Sequence, residues 1–175
     1  MDQRERLLAA QSMHGARQLA LEIGDDPVQF DALARLFLQR DARLAQCASY
    51  TLMHCSNAHP ELALPYLRSF LDHARNPPHI SVRRNVVRLL QLIDIPAELE
   101  GPVYDLCWQF AHDRKEAIAV RVFSLSVIAS IAERYPELAP EVIDMARELA
   151  AAGSPGLRNR AGKVLKQLGS LTRRQ

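Results

Sequence analysis

The chain has 175 residues, 48% of them hydrophobic and 6% aromatic, with only 7 Gly; this is long enough to bury a core, excludes a disordered or fibrous protein, and favours helices over strands. The net charge is +2, but residues 153–175 hold Arg158, Arg160, Lys163, Lys166, Arg173 and Arg174 and no acid, leaving 16 bases against 20 acids in residues 1–152. That imbalance argues against a sustained basic stripe tracking phosphates.

The first residues, Met1 to Arg6, carry both signs of charge and lead into no long apolar run, which is not the pattern of a secretory signal. No stretch reaches the roughly 18 apolar residues of a membrane span. Cys47, Cys55 and Cys107 are an odd number in a helical setting, which predicts buried free thiols in a reducing compartment. The expectation is a soluble, cytoplasmic, all-α protein.

In chain order, Asp2 to Ile23 reads as one helix with Leu7, Leu8, Ala16, Leu19, Ala20 and Ile23 as its apolar residues, ended by Gly24. Residues 1–24 are therefore expected to be an N-terminal capping helix, and residues 25–175 a single domain of four helix pairs closed by a basic C-terminal unit. The pairs are marked by Pro27, Pro65, Pro102 and Pro140, spaced 38, 37 and 38 residues apart. Such a period marks stacked repeats.

Each proline is placed at or near the first position of a helix A, where its missing N–H costs nothing. Polar or breaker-rich turns follow at 39–41, 75–78, 113–116 and 153–156, and then a helix B begins. Ala45, Arg83, Arg121 and Arg158 are equivalent positions in the four B helices, at intervals of 38, 38 and 37. Relative to them, offsets −1, +3, +6, +7 and +10 are mostly apolar and predict the buried face. These are Leu44, Ala48, Thr51, Leu52, Cys55; Val82, Val86, Leu89, Leu90, Ile93; Val120, Ser124, Val127, Ile128, Ile131; and Leu157, Ala161, Val164, Leu165, Leu168. A third landmark, Glu-Leu at 61–62, 98–99 and 137–138, precedes the return to helix A.

Two helices per 37 to 38 residues, proline in the first, and Val82-Arg83, Val120-Arg121 and Leu157-Arg158 entering the second resemble the HEAT and armadillo-like repeats. The first pair departs from the pattern, with Leu44-Ala45 in that place. The resemblance covers nearly all of residues 25–170 and implies a right-handed α-α superhelix, a solenoid whose B helices line a concave face. It implies scaffolding or adaptor roles in most cases, and DNA binding, remotely DNA glycosylase chemistry, in a minority.

No glycine-rich phosphate loop, nucleophile elbow or paired metal motif occurs, so no catalytic residue, cofactor or metal is assigned. His54, Cys55 and His59 with Cys47 nearby read as core plus surface rather than a zinc site. Trp108 beside Leu106, Cys107 and Phe110 reads as packing, with Asp113 in a turn. The three arginines at 83, 121 and 158 are expected to bond to the turns or to acids such as Asp41, Asp113 or Glu116.

Offsets +1, +5 and +8 of the B helices should face solvent, and there the repeats differ from one another. They carry Gln46, Tyr50, Met53; Arg84, Arg88, Gln91; Val122, Ser126, Ala129; and Asn159, Lys163, Lys166. From these, Tyr50, Met53, Arg84, Arg88, Gln91, Lys163 and Lys166 are the expected partner-binding residues. A protein or peptide, acidic in character, could set carboxylates on the arginine and lysine pairs; nucleic acid is the alternative partner, and a monomer is expected.

Overall fold

The computed structural model describes residues 2–170, and of Ala152 only the backbone; Arg173 and Arg174 lie outside the described residues. The fold is an all-α repeat, and no strand occurs among the described residues. The chain divides into two compact units, Met1–Pro96 and Ala97–Gln175.

In the first unit the helices are α1 (Gln3–Ala9), α2 (Met13–Ile23), α3 (Pro27–Phe37), α4 (Ala42–Ala58), α5 (Leu67–Arg75) and α6 (Ile80–Leu89), with a 3₁₀ stretch at Pro60–Tyr66 before α5. Helices α2, α4 and α6 are successive neighbours, with α3 packed on α4 and α5 on α6. The single helix expected over residues 2–23 is thus two helices. Ser12 breaks it by capping α2, its Oγ accepting the Gly15 N–H at 3.0 Å. Gly15 permits the close turn, because a Cβ there would lie 3.0 Å from the Ala10 Cα. As a result α2 stands beside α4 as α4 stands beside α6.

Helix starts follow the local chemistry. Asp26 caps α3 by accepting the Val28 and Gln29 N–H groups, and Pro27 occupies the first helical position, as expected. Asp41 caps α4 through the Leu44 N–H at 2.9 Å. Gly24, at φ 57°, ends α2 in a backbone conformation that L side chains rarely adopt.

The second unit contains α7 (Ala97–His112), α8 (Ile118–Arg134), a 3₁₀ turn (Pro136–Leu138), α9 (Ala139–Ala152) and α10 (Pro155–Gly169). Here α7 packs on α8, α8 on α10, and α9 on α10.

Pro140 lies in the first turn of α9, but the other two repeat prolines depart from their expected place. Pro65 falls in the 3₁₀ stretch just before α5, and Pro102 lies in the second turn of α7. Helix α7 starts five residues early because Ala97-Glu98-Leu99-Glu100 are good helix formers that bring two acids to the positive end of the dipole. Helix α6, in turn, stops at Leu89 rather than running to Ile93, and the chain leaves it through tighter turns in which the Gln91 and Leu92 N–H groups bond the Arg88 and Leu89 carbonyls at 3.2 and 2.8 Å.

The predicted buried face of the B helices is buried throughout, except that Leu165 is only half-buried. Two of the repeat arginines have a definite task. Arg83 donates from Nε to the Ala74 carbonyl at 3.0 Å and from a terminal nitrogen to the Arg75 carbonyl at 2.9 Å. Arg121 donates from Nε to the Ala111 carbonyl at 3.0 Å. Each closes the carbonyl end of the A helix before it, where the last four C=O groups lack helical partners. Arg158 is exposed.

Candidate partner-binding surface

The open strip of α4 carries Arg43, Gln46, Tyr50, His54 and Asn57, spaced three and four residues apart so that they share one side of the helix. On α6 the corresponding strip is Ile80, Arg84 and Arg88, and on α2 it is Met13, Arg17 and Leu21, all exposed except Arg84, which is half-buried. Offsets +1 and +5 are thus only partly open in this unit: Arg88 is exposed, while Gln46, Tyr50 and Arg84 are half-buried.

Two of the expected residues meet directly. A terminal nitrogen of Arg84 donates to the Tyr50 hydroxyl at 2.8 Å, and its guanidinium carbon lies 5.3 Å from the centre of the Tyr50 ring. The contact fixes the Arg84 side chain and leaves donors of the guanidinium for a ligand. Arg88 is one turn further along α6, and Gln91 is exposed in the turn beyond the helix.

Met53 is a correction: it is 2% exposed and belongs to the core. Helix α4 packs between α2 and α6 and on α3, so its open arc is narrower than that of a surface helix, and Met53 at offset +8 falls outside that arc. Ala129 at the same offset of α8 is likewise buried. In the second unit Lys163 and Lys166 are exposed on α10, with Asn159 one turn before Lys163, while Val122 and Ser126 on α8 are half-buried.

Charge is segregated between the two helix sets. Within α2, α4 and α6 the sequence holds one acid, Glu22, which is engaged by Arg6. Helix α10 holds none, and α8 has Glu133 in its last turn. The remaining acids sit on the A helices and connectors. Arg17, Arg84 and Arg88 enter no ion pair among the described residues.

His54, read from the sequence as part of a core-plus-surface group rather than a zinc site, is half-buried on this strip. Its Nε2 is buried without a hydrogen-bond partner. Burial, then Arg88 and Arg17, hold its pKa below the usual histidine value. The signal was its position one turn after Tyr50, but the proximity of Arg17 depends on α2 standing beside α4.

Among the described residues, no three His, Cys, Asp or Glu side chains converge to hold a metal ion. The thiols are buried and free, and burial pushes Cys55 and Cys107 up to about 12, which disfavours the reactive thiolate. Trp108 is half-buried, with ring contacts to Tyr104 at 5.7 Å and His112 at 4.9 Å. Asp113 accepts the Lys115 N–H within its own turn at 2.9 Å.

His73 on α5 is 8% exposed, edge-on to Phe37 at 5.0 Å, and burial followed by Arg40 lowers its pKa. For His54 and His73 the unfolded chain therefore binds protons better than the folded one, so stability is complete above about pH 6.5 and falls as pH drops through that value. Asp26, Asp31 and Asp41, held low by Gln29, Tyr66 and the Leu44 N–H respectively, lose their contribution only below about pH 4. Urea unfolding should accordingly show a lower midpoint at pH 5.5 than at pH 7.5, with a smaller difference in His73→Gln; an unchanged midpoint would contradict the assignment.

No helix among the described residues is long and apolar enough to cross a membrane. No curated protein and no solved structure matches the chain. A family model, that of the HEAT repeat domain, matches residues 3–168, nearly the whole chain and with it every helix that carries the arginine strip, the Tyr50–Arg84 contact and the α10 lysines. The chain belongs to the HEAT repeat domain family.

Proposed function

We propose that this protein is a non-catalytic interaction scaffold that binds an acidic segment of a protein partner on the solvent side of its B helices, acting as a cytoplasmic monomer. The HEAT repeat is a scaffold kind of fold. The observation that carries the finer reading is Arg84, held by Tyr50 and followed one turn later by Arg88, in a helix row whose one acid is already engaged.

An arginine without an acidic neighbour keeps its fork of donors for a carboxylate. Gln46 and Gln91 add neutral hydrogen-bonding groups, and Met13, Leu21 and Ile80 supply exposed apolar surface beside the charges. In the second unit Lys163 and Lys166 offer the same charge on α10. The features of the first unit by themselves suit a segment bearing both carboxylates and aliphatic side chains.

The test is capture from lysate of the native cell with wild type, Arg84→Glu/Arg88→Glu and Arg68→Glu, the last an exposed arginine on α5. Each lost charge-assisted contact is worth about tenfold, so the double variant should bind the purified acidic partner about a hundredfold more weakly. Arg68→Glu should bind it as wild type does. The same partners retained by the double variant would refute the assignment of this surface. Retention that nuclease abolishes, with affinity falling steeply as salt rises, would favour nucleic acid instead.

A further inference from the structure

The second unit contains a cavity of about 300 Å³ between the start of α7, the end of α8 and the 3₁₀ turn that follows it. It shares no residue with the proposed B-helix surface. Its walls include Tyr104, Tyr135, Ile131 and Gly101, and its polar residues are Glu100, Asp105 and Glu137. No basic residue lines it.

The tyrosines are held at their tips. The Tyr104 hydroxyl donates to Glu141 at 2.5 Å, and the Tyr135 hydroxyl donates to Glu100. Glu100, with its side chain 7% exposed, also receives Arg134 at 2.8 Å, so its charge is balanced within the fold. Asp105 and Glu137 are exposed at the cavity and add two negative charges. At Gly101 an added Cβ would meet nothing within 4 Å, which leaves the wall open on that side.

We infer that this cavity receives the side chain of an arginine presented by a protein partner. Tyrosine faces attract a cation through the ring quadrupole, and a planar guanidinium stacks on them while its N–H groups bond carboxylates. An apolar ligand would strip water from Asp105 and Glu137 without replacing their hydrogen bonds. A metal ion is disfavoured because the carboxylates do not converge as a ligand group. An ammonium group fits less well, being a compact, strongly hydrated charge with no plane to stack.

Proton–nitrogen NMR on the full-length protein tests this with N-acetylarginine methylamide, its lysine counterpart and its norleucine counterpart. The arginine compound should shift the amides of Gly101, Asp105 and Glu137 saturably, the lysine compound more weakly, and the norleucine compound not at all. The protein's single tryptophan, Trp108, stacked on Tyr104, gives a second readout by fluorescence. Asp105→Asn/Glu137→Gln should weaken binding about tenfold, whereas Asp144→Asn, an exposed acid outside the cavity, should leave it unchanged. The spectrum of each variant reports that it is folded. Absence of a saturable shift, equal binding of arginine and lysine compounds, or wild-type affinity in the double variant would overturn the proposal.

Discussion

Phe70→Ala is expected to destabilise the first unit by about 3–5 kcal/mol, the range for removing a large buried ring. Phe70 is 0% exposed on α5. It meets Phe37 of α3 edge-on at 5.1 Å and stacks on Tyr66 at 5.9 Å, while Tyr66 in turn contacts Phe30 at 5.8 Å. One ring therefore joins two successive A helices, and its loss leaves a cavity bounded by residues that cannot all close on it. Since a domain is stable by about 5–15 kcal/mol in total, the variant should lose a large share of its stability. Urea unfolding measures it, and a loss below about 1 kcal/mol would mean that the site collapses freely, contrary to a close-packed A layer.

Asn85→Leu should cost about 1–3 kcal/mol despite the similar side-chain size, because it strands a buried acceptor. Asn85, 2% exposed on α6, donates from Nδ2 to Ser49 Oγ at 2.8 Å, and Ser49, fully buried on α4, donates to the Gln46 carbonyl at 2.8 Å. The Ser81 hydroxyl lies 3.2 Å from Ser49 and 2.9 Å from His79 Nδ1. These hydrogen bonds set the register of α4 against α6, and the Tyr50–Arg84 contact lies beside them in sequence on both helices. The variant should therefore weaken partner binding as well as stability. Adding Ser49→Ala removes the stranded hydroxyl and should recover part of the lost stability; strict additivity of the two changes would show that the pair is not coupled.

Much of the fold was legible because repeats state the same fact several times. The prolines, the Val-Arg entries and the Glu-Leu returns agree on one register, and that register placed the B-helix core, from Leu44 to Leu168, almost without error. What was missed depends on neighbours that spacing alone does not reveal. The apolar residues of 2–23 suit one helix, and only the Ser12 cap and the close approach at Gly15 divide it. Met53 has the offset of a surface residue but sits on a helix packed between two others.

The arginines at 83 and 121 were readable as structural, but their bonds to A-helix carbonyls require the turn geometry. On the candidate surface, Tyr50, Arg84 and Arg88 follow from the register. Arg17 does not, because it joins that surface only through the place of α2 beside α4, and the effect of Arg17 on His54 depends on the same placement.

The central claim is that the B-helix row of the first unit is where a partner is read. Site-specific photo-crosslinking tests it most directly: p-benzoylphenylalanine is placed at Gln46 on α4, between Arg43 and Tyr50 on the open strip, and separately at Arg68 on the exposed side of α5. With captured partner present, the Gln46 position should crosslink to an acidic segment of it and the Arg68 position should not. Crosslinks from Arg68 with none from Gln46 would contradict the account.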